Sequence, residues 1–358
     1  MALAERGLYT TRPNPRVGCV LTQADRIIGV GFHAKAGQAH AEANALLDAH
    51  KNGELTHGAT AYVTLEPCAH FGRTPPCALA LRDAGIKRVV IASGDPFSQV
   101  AGRGIEILRS AGIAVELGLF NAQARALNAG FFSRIERGRP WLRLKMAASL
   151  DGRTALANGA SQWLTSEPAR MDVQRWRARS CAILTGIGTV LADDPRLNPR
   201  LTESELQALP ADMPAPLKVV LDTQLRTPAN VRLLHTPGRT LIAHGSDRVA
   251  PEPALSFSTA GLTPDAAIFA LLKHLATACE VGELLVEAGA TLAGALLRLN
   301  LVDELVLYTA PIILGERARP LAYLPEFTDL ANLPRWQVLE VRQMGPDVRT
   351  ILRPTTNY

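Results

Sequence analysis

LEPCAHFGRTPPC, residues 65–77, places two of the chain's five cysteines close together, with eight residues between Cys68 and Cys77. Glycine, arginine and two prolines in that interval rule out a continuous helix, because proline removes a backbone donor and clashes with the preceding turn. A disulfide, a closed structural metal site and an open catalytic metal site each fit such a pair. An odd cysteine count without framework spacing favours a reducing cytoplasm, where a metal or catalytic role is the commoner use.

Outward from this stretch, apolar runs alternate with helical patterns. VGCVLTQ (17–23) and RIIGVGFH (26–33) read as two strands joined by a polar turn. HAEANALLDAH (40–50) has helical periodicity, ATAYVTLEP (59–67) reads as a strand, and CALALRDAG (77–85) as a helix ended by glycine. KRVVIASGDP (87–96), GIEILRSAG (104–112) and IAVELGLF (113–120) continue as strand, helix and strand. This alternation predicts an α/β layered domain with a largely parallel sheet. RIERGRPW (134–141) interrupts it, which places a domain boundary between 1–137 and 138–358. A second α/β series follows, with strands at 142–152, 181–186, 217–223, 240–245, 283–289 and 303–311. The polar, proline-rich segments 202–216 and 246–267 read as surface loops.

A length of 358 residues suits about two domains. No apolar run approaches the ~20 residues that span a bilayer, and MALAERGLYTTRPNPR lacks the apolar core of a signal peptide. Residues 1–140 carry 16 Lys and Arg against 11 Asp and Glu, while the remainder balances at 22 of each. The basic excess suits a solvated face or an anionic substrate. Aromatic content of 5%, with no basic run interleaved with aromatics, argues against a nucleic-acid platform.

His40 and Glu42 open the helix that begins HAEANALL. Zinc takes imidazole nitrogen and thiolate sulfur in a tetrahedron, and a catalytic site supplies three protein ligands and leaves the fourth place to water. His40, Cys68 and Cys77 fit that count, and zinc acidifies the water. Glu42, two residues from a ligand, is placed to shuttle the proton. The pattern H-x-E with P-C…C is the signature of zinc-dependent nucleobase deaminases. A closed structural site with His70 as fourth ligand is the alternative, and it leaves Glu42 without a task. Cys19, Cys181 and Cys279 sit in apolar patterns and read as core.

In the second half, TGIGTVLADDP (185–195) follows a strand, but the third glycine position of a dinucleotide fingerprint holds Leu191. VEAGATLAGALL (286–297) again reads strand, turn, helix. Backbone N–H groups at such a helix start can bind phosphate, although turn geometry alone explains both glycine pairs.

HAEANAL, TLEPCAHFGRTPPC, NPRVGCV and AGRG resemble the deaminase half of the bifunctional deaminase/reductases of riboflavin biosynthesis, whose long cysteine loop with GRTPPC sets them apart from cytidine and tRNA-adenosine deaminases. KMAASLDGRTA, GASQWLTS, GIGTVLADDPRLNPR and VEAGATLAGALL resemble, in order, the reductase half. The resemblance covers nearly the whole chain. It implies a cytidine-deaminase-like three-layer α/β/α domain followed by a dihydrofolate-reductase-like α/β domain.

It further implies zinc on His40, Cys68 and Cys77, Glu42 as proton shuttle, and Asn14 and His33 lining the pyrimidine pocket. NADPH would be held by Ala147, Trp163, Thr189, Asp193 and the turn Gly289, Ala290, Thr291, Leu292, Ala293, Gly294 and Ala295. Lys145, Ser161, Arg177, Leu197, Arg200 and Glu287 would meet the reductase substrate. The implied chemistry is deamination of 2,5-diamino-6-(5-phosphoribosylamino)pyrimidin-4(3H)-one. NADPH-dependent reduction of the ribosyl chain then gives 5-amino-6-(5-phosphoribitylamino)uracil. The expected partner is a small phosphorylated pyrimidine, with no nucleic acid and no membrane, for a cytoplasmic homo-oligomer. Family members carry a longer first helix than MALAERG allows, so a truncated helix, or a numbering that begins at an internal Met, is expected.

Overall fold

The computed structural model describes residues 1–69, 75–98, 100–207 and 213–355. The chain divides into two compact units, Met1–Gly138 and Arg139–Tyr358.

In the first unit, β1 (Gly18–Gln23) and β2 (Arg26–Phe32) form an antiparallel hairpin. β1 also runs antiparallel to β3 (Thr60–Val63), and β4 (Arg88–Ile91) and β5 (Ala114–Leu117) continue in parallel, in the order β2-β1-β3-β4-β5. The sheet is therefore mixed, where alternation of strands and helices predicts a largely parallel one: β1 and β2 pair as a hairpin with no helical crossover between them, and β1 meets β3 antiparallel. The helices are α1 (Ala2–Glu5), α2 (Ala41–Lys51), α3 (Cys77–Asp83), α4 (Arg103–Ser110), α5 (Asn121–Leu127) and α6 (Ala129–Arg137).

One face of this sheet presents Cys19, Leu21, Ala61, Val63, Val89 and Ile91, and α2, α3 and α4 cover it. α2 meets the sheet through Ala41, Ala45 and Ala49, one small residue per turn and all fully buried. Opposite them β2 carries Gly29 and Gly31. A Cβ on Gly31 would lie 2.3 Å from the Ala41 carbonyl oxygen and 2.4 Å from the Ala45 nitrogen. This close approach sets the position of the start of α2, where His40 and Glu42 stand. The opposite face carries the single-turn α1, against which Gly18 packs, and an apolar cavity of about 390 Å³ lined in part by Met1, Leu3, Val20, Tyr62, Val90 and Phe120.

The second unit opens with β6 (Trp141–Ser149), β7 (Arg153–Ala155), α7 (Glu167–Arg179), β8 (Ala182–Gly186), α8 (Ile187–Asp193) and α9 (Glu203–Gln207). β9 (Leu217–Leu221), β10 (Thr240–His244), β11 (Leu255–Ser258), α10 (Pro264–Thr277), β12 (Glu283–Glu287) and α11 (Ala290–Arg298) follow. β13 (Glu304–Ala310), β14 (Arg319–Pro320), β15 (Trp336–Met344) and β16 (Asp347–Pro354) complete it. Nine strands form one sheet in the order β11-β10-β9-β8-β12-β6-β13-β16-β15, parallel up to β13 and antiparallel from there. Helices α10 and α11 cover one face through Leu271, Leu275, Ala293 and Leu296, and α7 covers part of the other through Ala169, Val173 and Trp176. Burial on both faces explains the unbroken apolar runs such as LKVVL and ELLVE.

β12 enters the sheet between β8 and β6 late in the chain, so the strand order reverses there. Crevices at the carboxyl ends of strands at such a point are the usual ligand sites of open α/β sheets. Segment 246–267 is not all loop: it holds β11 and the start of α10. The signals are TPD at 263–265, where Pro264 begins the helix and the Thr263 hydroxyl accepts the Ala266 N–H at 3.3 Å. Segment 202–216 holds the short exposed α9, and residues 208–212 lie outside the described residues. No helix among the described residues is long and apolar enough to cross a membrane.

Candidate active sites

In the first unit, His40 is the N-cap residue of α2, Cys68 follows β3, and Cys77 is the first residue of α3. Their ligand atoms lie within 4.8 Å of one another. His40 Nδ1 stands 3.5 Å from Cys68 Sγ and 3.4 Å from Cys77 Sγ. With zinc–sulfur bonds of ~2.3 Å and zinc–nitrogen bonds of ~2.0 Å, the nitrogen–sulfur edge of a tetrahedron is about 3.5 Å. The three side chains thus fit zinc in both donor type and spacing. The Cys68 sulfur also accepts the Cys77 N–H at 3.2 Å. Hydrogen bonds from the Cys77 thiol and from His40 hold the Cys68 thiol well below the usual cysteine range, and Cys68 in turn raises the His40 imidazole. His70, the fourth ligand of the closed alternative, lies outside the described residues.

Glu42 is buried in the first turn of α2. Burial, and then the negative Cys68 sulfur, push its carboxyl up to about 7. Asn14 and His33 come together beside this group. Asn14 Nδ2 is 3.2 Å from His33 Nε2, and His33 Nδ1 is 3.2 Å from the Ala39 carbonyl. A carbonyl only accepts, so Nδ1 carries the proton and Nε2 accepts from the Asn14 amide. Burial lowers the His33 pKa, in keeping with a neutral ring. The His33 and His40 rings meet edge to face at 5.3 Å.

In the second unit, Glu287, the last residue of β12, is the parallel-register partner of Lys145, midway along β6. Arg177 of α7 grips Glu287 with two bonds, Nε to Oε1 at 2.6 Å and Nη2 to Oε2 at 2.8 Å. Although burial opposes it, the charge of Arg177 keeps the Glu287 carboxyl below the usual range. Burial lowers the Lys145 ammonium. Leu197 is buried in the left-handed region at φ 54°, and Arg177 Nη1 reaches the neighbouring Asn198 carbonyl at 3.5 Å. Arg200 donates its backbone N–H to Gln174 of α7 at 3.1 Å. Burial and the nearby Arg177 and Arg196 lower its guanidinium pKa.

The residues expected to hold cofactor border the same strand ends. Ala147 is on β6, and Thr189 and Asp193 are in α8. Gln162 ties the Ser161–Trp163 segment to Asp193 at 3.4 Å, and Trp163 is exposed beneath the Arg170 guanidinium, 4.8 Å away. A Cβ on Gly188 or Gly289 would meet nothing within 4 Å. Gly289, Ala290 and Thr291 form the start of α11, where the first turn leaves N–H groups without a helical acceptor. Further along this run the side chains of Leu292 and Ala293 enter the core, Gly294 packs on the Tyr323 backbone, and Ala295 is half-buried.

Two features of these sites are missing from the sequence reading. Asp172 Oδ2 collects the Tyr308 hydroxyl at 2.5 Å, Arg349 Nη1 at 2.6 Å and Trp176 Nε1 at 3.3 Å, anchoring the helix that presents Arg177. An aspartate on the buried face of a helix is its only local signal. Glu66, two residues before Cys68, is buried and bonded to backbone at four points.

Comparison with known proteins agrees with both halves. Residues 1–93 match the cytidine and deoxycytidylate deaminase zinc-binding region, and residues 140–350 match the RibD C-terminal domain. The chain is 47% identical to the riboflavin biosynthesis protein RibD of Escherichia coli (strain K12), over 97% of this chain and 95% of that one. It is 45% identical to RibD of Haemophilus influenzae, over 98% and 95%. Among solved structures, Acinetobacter baumannii RibD superposes with a TM-score of 0.89 at 44% identity, covering 99% of this chain and 96% of that one. A Thermotoga maritima protein described as a diaminohydroxyphosphoribosylaminopyrimidine deaminase/5-amino-6-(5-phosphoribosylamino)uracil reductase superposes with a TM-score of 0.87 at 31% identity, covering 99% and 96%. With the His40–Cys68–Cys77 group in one unit and a reductase fold in the other, the chain belongs to the RibD family of riboflavin biosynthesis.

Proposed function

We propose that this chain carries out two consecutive reactions of riboflavin biosynthesis. The first unit deaminates 2,5-diamino-6-(5-phosphoribosylamino)pyrimidin-4(3H)-one. The second reduces the ribosyl chain of the product to give 5-amino-6-(5-phosphoribitylamino)uracil. The observation that carries this reading is the zinc-sized triangle of His40, Cys68 and Cys77 with Glu42 buried beside it.

In the first reaction, His40, Cys68 and Cys77 would hold a zinc ion, which would supply an acidified water. Glu42 would take a proton from the attacking water and pass it to the amino nitrogen, which leaves as ammonia. Asn14 orients the pyrimidine. Its amide is held by His33, which leaves Oδ1 to accept from a ring donor.

In the second reaction, bound NADPH would supply the hydride that reduces C1 of the opened sugar. The α11 start and the 186–193 segment would hold the cofactor. Lys145 holds a proton at the sugar oxygen end, and Glu287 orients Lys145 and the sugar hydroxyls. The fork of Arg177 is already closed on Glu287, so its part is to hold that carboxylate in place. Arg200, whose guanidinium is without a hydrogen bond among the described residues, meets the 5-phosphate. The reading extends to a cytoplasmic homo-oligomer acting on a small phosphorylated pyrimidine, not on nucleic acid. The exposed Val338, Leu339 and Val341 of edge strand β15 are surface that a second copy would cover.

The test is a coupled assay on purified, zinc-replete protein. Ammonia release from the diaminopyrimidine substrate comes first, then oxidation of NADPH by the product. Full zinc occupancy without ammonia release refutes the deaminase reading, and ammonia without NADPH oxidation refutes the reductase reading.

A further inference from the structure

Glu66 takes no part in the proton steps above, yet it is 4% exposed and lies two residues before Cys68. Its carboxylate accepts four backbone N–H groups from a different stretch of chain. Oε2 accepts from Asp95 at 3.3 Å and Gly102 at 3.1 Å, and Oε1 from Gly104 at 3.1 Å and Ile105 at 3.3 Å. Three of these donors belong to the N-terminus of α4, whose cap residue is Gly102 in the left-handed region, with no side chain to offer. A helix start leaves unpaired N–H groups that must find acceptors, and here a residue from the zinc-site segment supplies them.

Gly104 makes the approach possible. A Cβ there would lie 2.0 Å from the Pro67 carbonyl oxygen. The Glu66 N–H in turn bonds the Ser93 carbonyl at 2.9 Å. Residues 66 and 67 are therefore held by the Ser93 backbone, by the carboxylate on α4, and by the Pro67 carbonyl against Gly104. Cys68 follows with no intervening residue to absorb a displacement, and its own carbonyl accepts the Ala78 N–H at 3.2 Å.

We propose that Glu66 is a positioning residue of the deaminase centre: by clamping the start of α4 against Pro67 it fixes Cys68 within the ligand triangle. This rests on the reading of His40, Cys68 and Cys77 as a zinc site. Partners that orient metal ligands commonly govern 10–100-fold in metal affinity.

The experiment uses the full chain with Glu66→Gln, which keeps the shape but turns an amide N–H₂ toward N–H donors. Three readouts are followed: the rate of zinc loss to a chelator, the thiolate-to-cobalt absorption bands after substitution with Co²⁺, and both activities. Zinc loss about ten-fold faster or more, displaced cobalt bands and a fall in deaminase kcat are expected, with reductase turnover unchanged. Gly104→Ala, which presses on Pro67 from the other side, should move the same readouts in the same direction. If Glu66→Gln does not accumulate, Glu66→Asp keeps both oxygens at shorter reach and carries the same measurements. A variant with wild-type zinc loss and cobalt bands, whether or not its Tm falls, overturns the proposal alone. A wild-type chain that holds no zinc overturns the zinc reading, and this inference with it.

Discussion

Arg177 and Glu287 meet side by side, Nε on Oε1 at 2.6 Å and Nη2 on Oε2 at 2.8 Å, across 110 residues of sequence. Both side chains are mostly buried. Lysine at 177 would keep the charge but make only one of the two bonds, because its ammonium is a point donor and not a planar fork. A hydrogen bond to a charged group contributes about 1.5–3 kcal/mol. Arg177→Lys should therefore lower reductase kcat/KM roughly ten- to 100-fold. Steady-state NADPH oxidation measures this, with ammonia release from the same preparation holding at the wild-type rate.

Glu42→Gln removes the proton carrier while keeping the shape of the α2 start. Loss of a positioned acid–base group typically costs about 10²–10⁴-fold. Deamination should fall by that order, with zinc content by atomic absorption near one per chain and reductase activity intact. A parallel loss of reduction would contradict two separately working centres.

Lys145 gives a pH prediction. Its folded pKa lies below the ordinary lysine value of 10.5, chiefly through burial, with Arg177 adding and Glu287 opposing. Below the folded value both folded and unfolded chains carry the proton, and the cost of the buried charge is felt in full. As pH rises from there toward 10.5, the unfolded chain binds the proton more fully than the folded one, so this cost shrinks and stability rises. Lys145→Met should therefore be more stable than wild type at pH 7, by a margin that narrows toward pH 10, while reduction is lost. Urea denaturation at several pH values checks the sign; a margin that widens with pH would be the wrong one.

Gly31→Ala tests the seating of α2. The added methyl would lie 2.3 Å from the Ala41 carbonyl, so helix or strand must move. Overpacking of this kind costs about 1–3 kcal/mol, and the displaced helix start carries His40 and Glu42. Lower Tm together with faster zinc loss to a chelator is the expected result.

The layered α/β class was legible because strand-length apolar runs alternate with helical periods, and because metal chemistry narrows residue types so strongly that H-x-E with a cysteine pair stands out. The β15–β16 hairpin was not. β15 is exposed on both faces, so burial imposes no alternation on WQVLEVRQM. The mixed first sheet was hidden too, since the direction of β1 against β3 depends on pairing across the domain and not on local pattern. At the reductase centre, Lys145, Arg177 and Glu287 were named through family likeness. Their side-chain contacts could not be read from spacing. The bond from Arg349 to Asp172 spans 177 residues, and no local rule links such partners. Glu66 sat in plain view in TLEPC, but its four bonds go to residues 95–105.

The division of the chain at Gly138 and Arg139 has a consequence for supply. Each translated chain delivers one of each centre, so gene dosage and expression level change both together and never their ratio. Any imbalance between the two steps must come from what loads each unit. Scarcity of zinc would act directly on the first centre, and a depleted pool of reduced nicotinamide directly on the second.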